Sequence, residues 1–360
     1  MRLHILHQDT SLAIFMEEYK RNRTAEGPLT EAEMAEIWTG WNEELERIVP
    51  ARVPLMIAEI QSAERAAARS HLEIKVAAAV EQRWGSTFRH LQHLIEGVKE
   101  LARRFRIRLE ETPAEHVGDI HVVRTILAAR AIQTALGIEA LLRSGHAAAA
   151  WAQWRILHEL AVVAKFISKH GEATATAYMQ HGVEQSHRTL KAIQTHHKSS
   201  ADDPNLVEML KTHDDWIKVL ESPEWYGPGF GATYGWAGAA LGKQRPDFKQ
   251  LESDVGMSVA RPEYQRASHV VHPNIRGFLD HQHGEHGDGV SQPWDPHATS
   301  LGEPLALTAK TLTAFTGGLA DVSSPASDLV LLSAITHFRD EVLATIYPEG
   351  ENGGDSNPPG

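Results

Sequence analysis

The sequence predicts an all-α protein, a multi-helix bundle built around a central antiparallel helical hairpin. Three observations favour this fold class. The strong helix formers Ala, Leu, Glu, Arg, Gln and Met dominate the first two-thirds of the 360 residues. Apolar residues recur at helical spacing, whereas the polar–apolar alternation typical of strands is nearly absent. Finally, Gly145 stands where one long helix must end before another begins.

The first clear helix signal begins at Thr30, which fits the N-cap position, with Glu33 as its partner in a capping box. We expect this helix to continue until Pro50, because proline removes a backbone donor and crowds the preceding turn. Residues 1–52 are therefore predicted to form an N-terminal helical extension. The helix carries apolar residues at helical spacing: Met34, Ile37, Trp38, Trp41 and Leu45.

Residues 53–348 are predicted to form one helical bundle domain, followed by a disordered tail over 349–360. A long helical region runs from about 53 to 108, with a candidate break at Gly85-Ser86. Pro113 lies in the short segment that separates this region from the next helix.

The central hairpin consists of predicted helices over 120–142 and 146–170, joined by a turn that contains Gly145. The second of these helices is apolar almost all round, so we expect it to lie at the centre of the bundle. Further helices are expected over 172–197, 205–220, 262–272, 304–319 and 327–347.

Composition excludes several classes of protein. The formal net charge of −12 argues against a general affinity for the nucleic-acid backbone. The absence of cysteine excludes disulfides, thiolate zinc sites and cysteine nucleophiles. Residues 1–9 lack the apolar core of a secretory signal, and the apolar run 160–167 is too short to span a bilayer. We therefore expect a cytoplasmic protein with no membrane partner. The densest basic run is interpreted as a solvated helix end: Arg103, Arg104, Arg106 and Arg108.

Arg155 and Glu159 interrupt the apolar second helix of the hairpin, one turn apart. They share a helical stripe with Trp151 and Phe166, and that stripe should face other helices. Buried ionic groups are costly unless they are paired. The pair is therefore either a polar clasp between helices or part of the lining of a pocket.

A second polar cluster spans Tyr264 to Pro273. Since Pro273 disfavours helical geometry at the preceding residue, we expect a helix to end at His272. The negative end of the helix dipole favours a protonated histidine there, which suits either a general acid or a surface cap. Ser268 lies one turn earlier and faces the same way.

These two clusters carry a resemblance to a known family. A helical hairpin with Arg-x3-Glu, followed by Ser-x2-Val-His-Pro, resembles an uncharacterised bacterial all-helical family, domain of unknown function 5677. The resemblance would cover roughly residues 53–347 and implies a helical fold but little biochemistry. Its matching residues are Arg155, Glu159, Ser268, Val271, His272 and Pro273.

A looser resemblance concerns the HEPN-type ribonucleases, whose signature is Arg, four to six residues, then His. Arg266 and His272 fit this spacing. In that family the histidine acts in acid–base chemistry and the arginine on the scissile phosphate, near a dimer interface. The resemblance therefore implies RNA as a substrate and a homo-oligomer. Two features depart from the pattern, since Ala267 is not polar and the two side chains point about 120° apart on a regular helix.

Metal binding is a third hypothesis. Glu184 and His187 form a Glu-x2-His motif, of which di-iron bundles use two copies, but no second copy is evident. The histidine tract of His281, His283 and His286 has ligand types at short spacing and is more typical of a solvated segment. No glycine-rich nucleotide fingerprint is present. We therefore predict no cofactor and no metal.

The loop over 222–242 contains five aromatic residues and is either a packed cover or a binding lid, through which a protein partner would dock. We predict that Arg155, Glu159, Ser268 and His272 converge beneath it, with Ser268 or His272 donating to Glu159. The leading functional hypothesis is a metal-independent endoribonuclease of a stress or phage-defence system. It acts through five candidate catalytic residues: His272, Arg266, Arg155, Glu159 and Ser268. The alternative is a non-enzymatic helical interaction module.

Overall fold

The structure is a computed structural model, and the described residues are 12–22, 27–196, 203–272, 275, 296–319 and 324–348. These residues contain α-helices and short 3₁₀ turns but no strand, so the predicted all-α class is confirmed. The chain divides into two compact units, Met1–Ile74 and Lys75–Gly360. The predicted tail over 349–360 and the histidine tract over 281–286 lie outside the described residues.

The first unit contains α1 (Leu12–Asn22) and α2 (Glu31–Ile60). The predicted capping box is confirmed, because the Thr30 side chain accepts from the Glu33 backbone and the Glu33 carboxylate accepts from that of Thr30. The predicted end at Pro50 is wrong, since α2 continues through two prolines. A proline costs a helix one backbone hydrogen bond and some crowding, which the other turns of a 30-residue helix can outweigh. The predicted boundary after residue 52 therefore falls inside α2.

Helix α3 (Ala63–Glu111) is continuous through Gly85, so the candidate break there is not realised. The break lies instead at residues 61–62, between α2 and α3. A glycine inside a helix costs roughly 1 kcal/mol relative to alanine. Trp84 and Phe88 are buried on either side of Gly85, and their packing outweighs that cost.

Of the remaining helices, the seven longer ones follow the sequence prediction to within a few residues at each end, and two short helices, over 238–241 and 248–254, were not predicted. They are α4 (Asp119–Arg143), α5 (Ala147–His170), α6 (Glu172–His196), α7 (Pro204–Leu220), α8 (Gly238–Leu241), α9 (Phe248–Asp254), α10 (Arg261–Val271), α11 (Gly302–Thr316) and α12 (Ala326–Ile346).

The turn of the α4–α5 hairpin depends on Gly145, whose φ of +78° is a left-handed conformation that favours glycine. Its backbone N–H donates to the Leu142 carbonyl at 3.0 Å, and the next N–H donates to the Leu141 carbonyl at 2.9 Å. A Cβ at this position would also meet the His297 backbone at 2.8 Å. The turn therefore closes the hairpin, and the missing side chain of Gly145 leaves room for the backbone of His297, which is distant along the chain.

Helix α5 is the centre of the bundle, as predicted, and packs against α4, α6, α9, α10 and α11. Trp154, Leu157 and Ala161 on α5 are fully buried. The Trp154 indole N–H donates to the Thr311 hydroxyl on α11 at 3.0 Å, which satisfies its single donor inside the core. Because α5 is surrounded in this way, its polar side chains contact other helices as well as water.

The basic run near the end of α3 is only partly a solvated surface. Arg108 lies 2.7 Å and Arg104 3.5 Å from the carboxylate of Asp328, which is fully buried in the first turn of α12. Arg103 and Arg106 are more exposed and pair with glutamates on α3 itself. The interpretation as a purely solvated helix end is therefore wrong for the two arginines that attach α3 to α12.

Candidate functional site

The candidate site is built on α5 and α10, where Tyr264 joins the Arg155–Glu159 pair. The Arg155 Nη2 lies 3.2 Å from Glu159 Oε1 and donates to the Tyr264 hydroxyl at 2.9 Å. That hydroxyl donates in turn to Glu159 Oε1 at 2.6 Å. The guanidinium also lies over the Tyr264 ring, 4.9 Å from its centroid. The three groups form a closed polar triangle between two helices.

This triangle is half-buried, and its electrostatics follow from that position. The Arg155 and Glu159 side chains are 26% and 33% exposed, so the expected deep burial of the pair is not realised. Burial and the bond to Glu159 raise the pKa of Tyr264 to about 12, which keeps its hydroxyl protonated. Burial alone would lower the pKa of Arg155, but Tyr264 and Glu159 raise it. The Tyr264 hydroxyl and the Arg155 guanidinium therefore both keep their protons near neutral pH.

A second polar cluster lies behind the triangle and is fully buried at its centre. His158 Nε2 lies 2.9 Å from Glu252 Oε1, and Arg261 Nη1 donates to Glu252 Oε2 at 2.7 Å. The His158 and Glu252 side chains are both 0% exposed. Burial lowers the pKa of His158 although the Glu252 carboxylate favours its protonated form. Within the described part of the chain, His158 Nδ1 has no hydrogen-bond partner.

Aromatic rings surround the His158 imidazole. The ring centroids of Trp154, Tyr264 and Phe248 lie 5.4, 5.7 and 6.0 Å from it. Tyr264 therefore belongs to both clusters, with its hydroxyl in the triangle and its ring against His158. These contacts attach α9 and α10 to α5.

Most of the loop over 222–242 packs as a cover, which is one of the two alternatives predicted for it. Phe230 and Trp236 are buried, and the Trp236 ring packs against Phe166 on α5 at 5.6 Å. Tyr234 packs against Phe248 at 5.8 Å, and burial raises the pKa of its hydroxyl. The loop therefore completes the core beside the two polar clusters.

One histidine fixes this cover to α6. His181 is buried, and its Nε2 lies 2.9 Å from the Ala232 carbonyl oxygen. Burial lowers the pKa of His181, although the nearby backbone carbonyls favour its protonated form. A neutral imidazole thus links α6 to the middle of the loop.

Arg266 is held on the other side of α10. Its Nη1 donates to Glu303 Oε1 at 2.9 Å, and its Nη2 donates to the second oxygen of the same carboxylate. The guanidinium lies over the Trp151 ring, 4.6 Å from the centroid. This bidentate pair links α10 to the first turn of α11.

The predicted convergence of Arg155, Glu159, Ser268 and His272 is realised only in part. The triangle does reach α10, but through Tyr264. The expected hydrogen bond from Ser268 to Glu159 is wrong, because the Ser268 hydroxyl donates to the Tyr264 carbonyl at 2.8 Å. His272 is exposed just past the end of α10, and among the described residues no hydrogen bond joins its side chain to Glu159. Whether these residues are catalytic stays a prediction.

Part of the chain that contains these clusters is similar to a known protein family. Residues 121–290 match DUF5677, a family of unknown function. The match confirms the resemblance, over a shorter span than the expected 53–347. No curated protein and no solved structure matches the chain.

The DUF5677 segment contains the triangle and the buried cluster, whereas Glu303, the partner of Arg266, lies after it. Four of the residues in these clusters were not predicted from sequence as site residues: His158, Glu252, Arg261 and Tyr264. The only sequence signal for His158 and Tyr264 is that each is a polar residue on a buried helical face. Glu252 lies on a seven-residue helix too short to give a periodic signal.

The Glu-x2-His motif, which was considered above as a metal-binding hypothesis, makes other contacts in the structure. Glu184 pairs with Arg188 at 2.8 Å, and His187 lies 2.9 Å from Asp214 on α7. Across the described ranges, no group of three or more His, Asp or Glu residues is arranged to hold a metal ion.

Proposed function

We propose that this chain is a non-enzymatic helical interaction module. One observation carries the proposal, and it concerns the five candidate catalytic side chains. The side chain of His272 is exposed just past the end of α10. The other four have partners within the chain, namely Arg155, Glu159, Ser268 and Arg266. Groups that hold helices in register in this way act as structural clasps, and their removal would affect stability before chemistry.

The chemistry of RNA cleavage supports the same preference. Metal-independent cleavage needs an acid–base group and a cation on one phosphate. Both terminal nitrogens of Arg266 donate to Glu303, so a phosphate would have to compete with a bidentate carboxylate for that guanidinium. The net charge of −12 opposes the approach of RNA as well.

The surface that we propose for a protein partner is the start of the cover loop. Trp225 is 50% exposed, and Trp216 and Val219 on the outer face of α7 are exposed too. Aromatic residues of this size are enriched in the centres of protein interfaces. The same loop buries Phe230 and Trp236, which gives the exposed tryptophan a rigid base.

Proximity labelling in cells tests the module. We expect that Trp225→Ala removes a defined set of labelled proteins, while Trp38→Ala, which also truncates a half-exposed tryptophan, leaves that set unchanged. Far-UV circular dichroism and the unfolding midpoint check that both variants fold. An identical labelled set for the wild type and Trp225→Ala would contradict the proposal.

A ribonuclease of a cytoplasmic stress or phage-defence system is the second candidate. It is favoured by His272, whose side chain is exposed just past the end of α10 and is accessible to a substrate. Growth arrest on overexpression and cleavage of purified RNA would both be lost in His272→Ala. His213→Ala, which removes a partly exposed histidine of α7, is the control. If the wild type cleaves RNA and only His272→Ala does not, the interaction module is the wrong choice.

A further inference from the structure

Helix α4 presents an apolar stripe to solvent. Val122, Ile126 and Leu136 are 37%, 46% and 42% exposed, which is high for large apolar side chains in the middle of a bundle. The complete stripe is Val122, Ile126, Ala129, Gln133, Leu136 and Ala140, and all six residues are exposed. We call these residues the α4 seam.

The spacing of the α4 seam is that of a coiled coil. Its members alternate at intervals of four and three residues, which is the 3.5-residue repeat that keeps one stripe facing a partner helix. In heptad terms, Ile126, Gln133 and Ala140 occupy a positions, and Val122, Ala129 and Leu136 occupy d positions.

The opposite face of α4 is already used inside the bundle. Leu127, Ala131, Ala135 and Ile138 are buried against the rest of the protein. By length and hydropathy, α4 is the one described helix that could cross a membrane, with a mean hydropathy of 1.4 over its most apolar window. Its buried face belongs to the core instead, so what lacks a partner is one stripe and not a whole helix.

We propose that the α4 seam binds a second copy of this chain, in a parallel two-helix contact around a two-fold axis. In a parallel pair each layer meets its own counterpart, so Ile126 faces Ile126 and Leu136 faces Leu136. A β-branched residue at a and leucine at d is the combination that favours parallel dimers. Ala129 and Ala140 allow close approach, and space is open beside Gly137.

Gln133 is the reason for a second copy over an unrelated apolar partner. It is the single polar member of the α4 seam. Against a purely apolar surface its amide would be buried without hydrogen bonds, which is costly. Opposite its own counterpart, each amide supplies the donor and the acceptor that the other needs. One polar residue at an a position also fixes register.

Arg130 disfavours the antiparallel alternative. The antiparallel register that matches the apolar layers pairs Ile126 with Leu136, and it puts the two-fold axis level with residue 131 of both copies. The two Arg130 side chains, which border the α4 seam and are exposed, would then meet across the axis. Like charges in contact destabilise such a pair. In the parallel arrangement Arg130 faces Thr125 of the other copy.

Charge-swapped variants test both the contact and its direction. Sedimentation over about 1 μM to 1 mM brackets the affinities expected of a short seam. We expect a concentration-dependent dimer for the wild type, and monomers for Ile126→Glu and for Ile126→Lys. A mixture of these two variants should restore a heterodimer, because only the parallel arrangement brings position 126 of both chains together. Val330→Glu, at an exposed site on α12, should dimerise like the wild type.

Disulfide trapping gives a second measurement, since the chain has no cysteine of its own. We expect Ala129→Cys to form a covalent dimer under mild oxidation, and Val330→Cys not to. A wild type that stays monomeric at all concentrations would overturn the proposal, as would a dimer that Ile126→Glu leaves intact. The contact does not involve the 222–242 loop, so either proposal can fail without the other.

Discussion

The Tyr264 hydroxyl lies 2.6 Å from Oε1 of Glu159, and this one hydrogen bond joins α10 to the central helix α5. The same hydroxyl accepts from Arg155 at 2.9 Å, so the tyrosine is both a donor and an acceptor within a charged pair. A bond to a charged group contributes more than one between neutral groups. The hydrogen bonds of the Tyr264 hydroxyl therefore hold α10 in position in addition to its hydrophobic contacts.

The first prediction concerns this hydroxyl. We expect Tyr264→Phe to lower the free energy of unfolding by about 1–2 kcal/mol, because it leaves the ring contacts but removes both hydrogen bonds. Urea unfolding with an unchanged m-value would measure the loss. Tyr226→Phe is a matched control that removes one bond to the neutral amide of Gln180, and it should cost less. Equal losses in the two variants would count against a special role for Tyr264.

The second prediction concerns the buried carboxylate of Glu252. Glu252→Gln should cost roughly 2–4 kcal/mol, because it leaves the Arg261 cation without its counter-charge at a site of very low exposure. Arg261 is itself partly exposed, which keeps the cost below that of a fully buried pair. The exposed Glu110→Gln, which also breaks an arginine pair, should leave the unfolding midpoint unchanged. A silent Glu252→Gln would show that water replaces the ion pair.

The third prediction tests the attachment of α12 to α3. Asp328→Asn should destabilise the protein by about 2–4 kcal/mol, because the buried carboxylate compensates two arginines. Arg106→Gln breaks an exposed pair in the same basic run and should have little effect. Thermal unfolding of the two variants separates a structural clasp from a solvated surface, and similar midpoints would favour the surface.

The fourth prediction is a loss of stability in mild acid. Burial lowers the pKa of both His158 and His181 below the ordinary value of about 6.5. As pH falls below that value, the unfolded chain therefore takes up these protons before the folded chain does. Stability is full above about pH 7, and it decreases as pH falls towards the folded pKa of each histidine.

His181→Gln should reduce this pH dependence, since it removes the contribution of His181 and leaves that of His158. The expected change in slope is at most about 1.4 kcal/mol per pH unit for each histidine. Chemical denaturation at a series of pH values between about 7 and 5 measures it. His213→Gln, which removes a partly exposed histidine of α7, is the control variant. A wild-type stability that rises in this range would contradict the prediction.

The helices were predictable because their signals are local. The capping box at Thr30 and the left-handed Gly145 each determine a helix end from a few neighbouring residues, and both were confirmed. Pro50 was misjudged because the balance between one lost hydrogen bond and the rest of a long helix is not a local property.

The candidate site was only half predictable, for a related reason. Periodicity identified Arg155 and Glu159 as polar residues on an apolar helix, but not which distant residue would meet them. Tyr264 lies more than 100 positions away along the chain and fills that place with a hydroxyl. Glu252 belongs to a helix of two turns, where amphipathic patterns carry little information. Contacts of this kind depend on how the whole chain folds, and local sequence patterns do not reveal them.

The hydrogen bond between Trp154 and Thr311 spans 157 positions of the chain, whereas the Gly145 turn closes over a handful. Loop closure costs more entropy for the longer span, so we expect the α4–α5 hairpin to form early in folding and α11 to dock late. Substitutions at the Gly145 turn should then slow folding, while Thr311→Val should mainly accelerate unfolding. The rate at which α11 detaches from α5 therefore determines the lifetime of the native state.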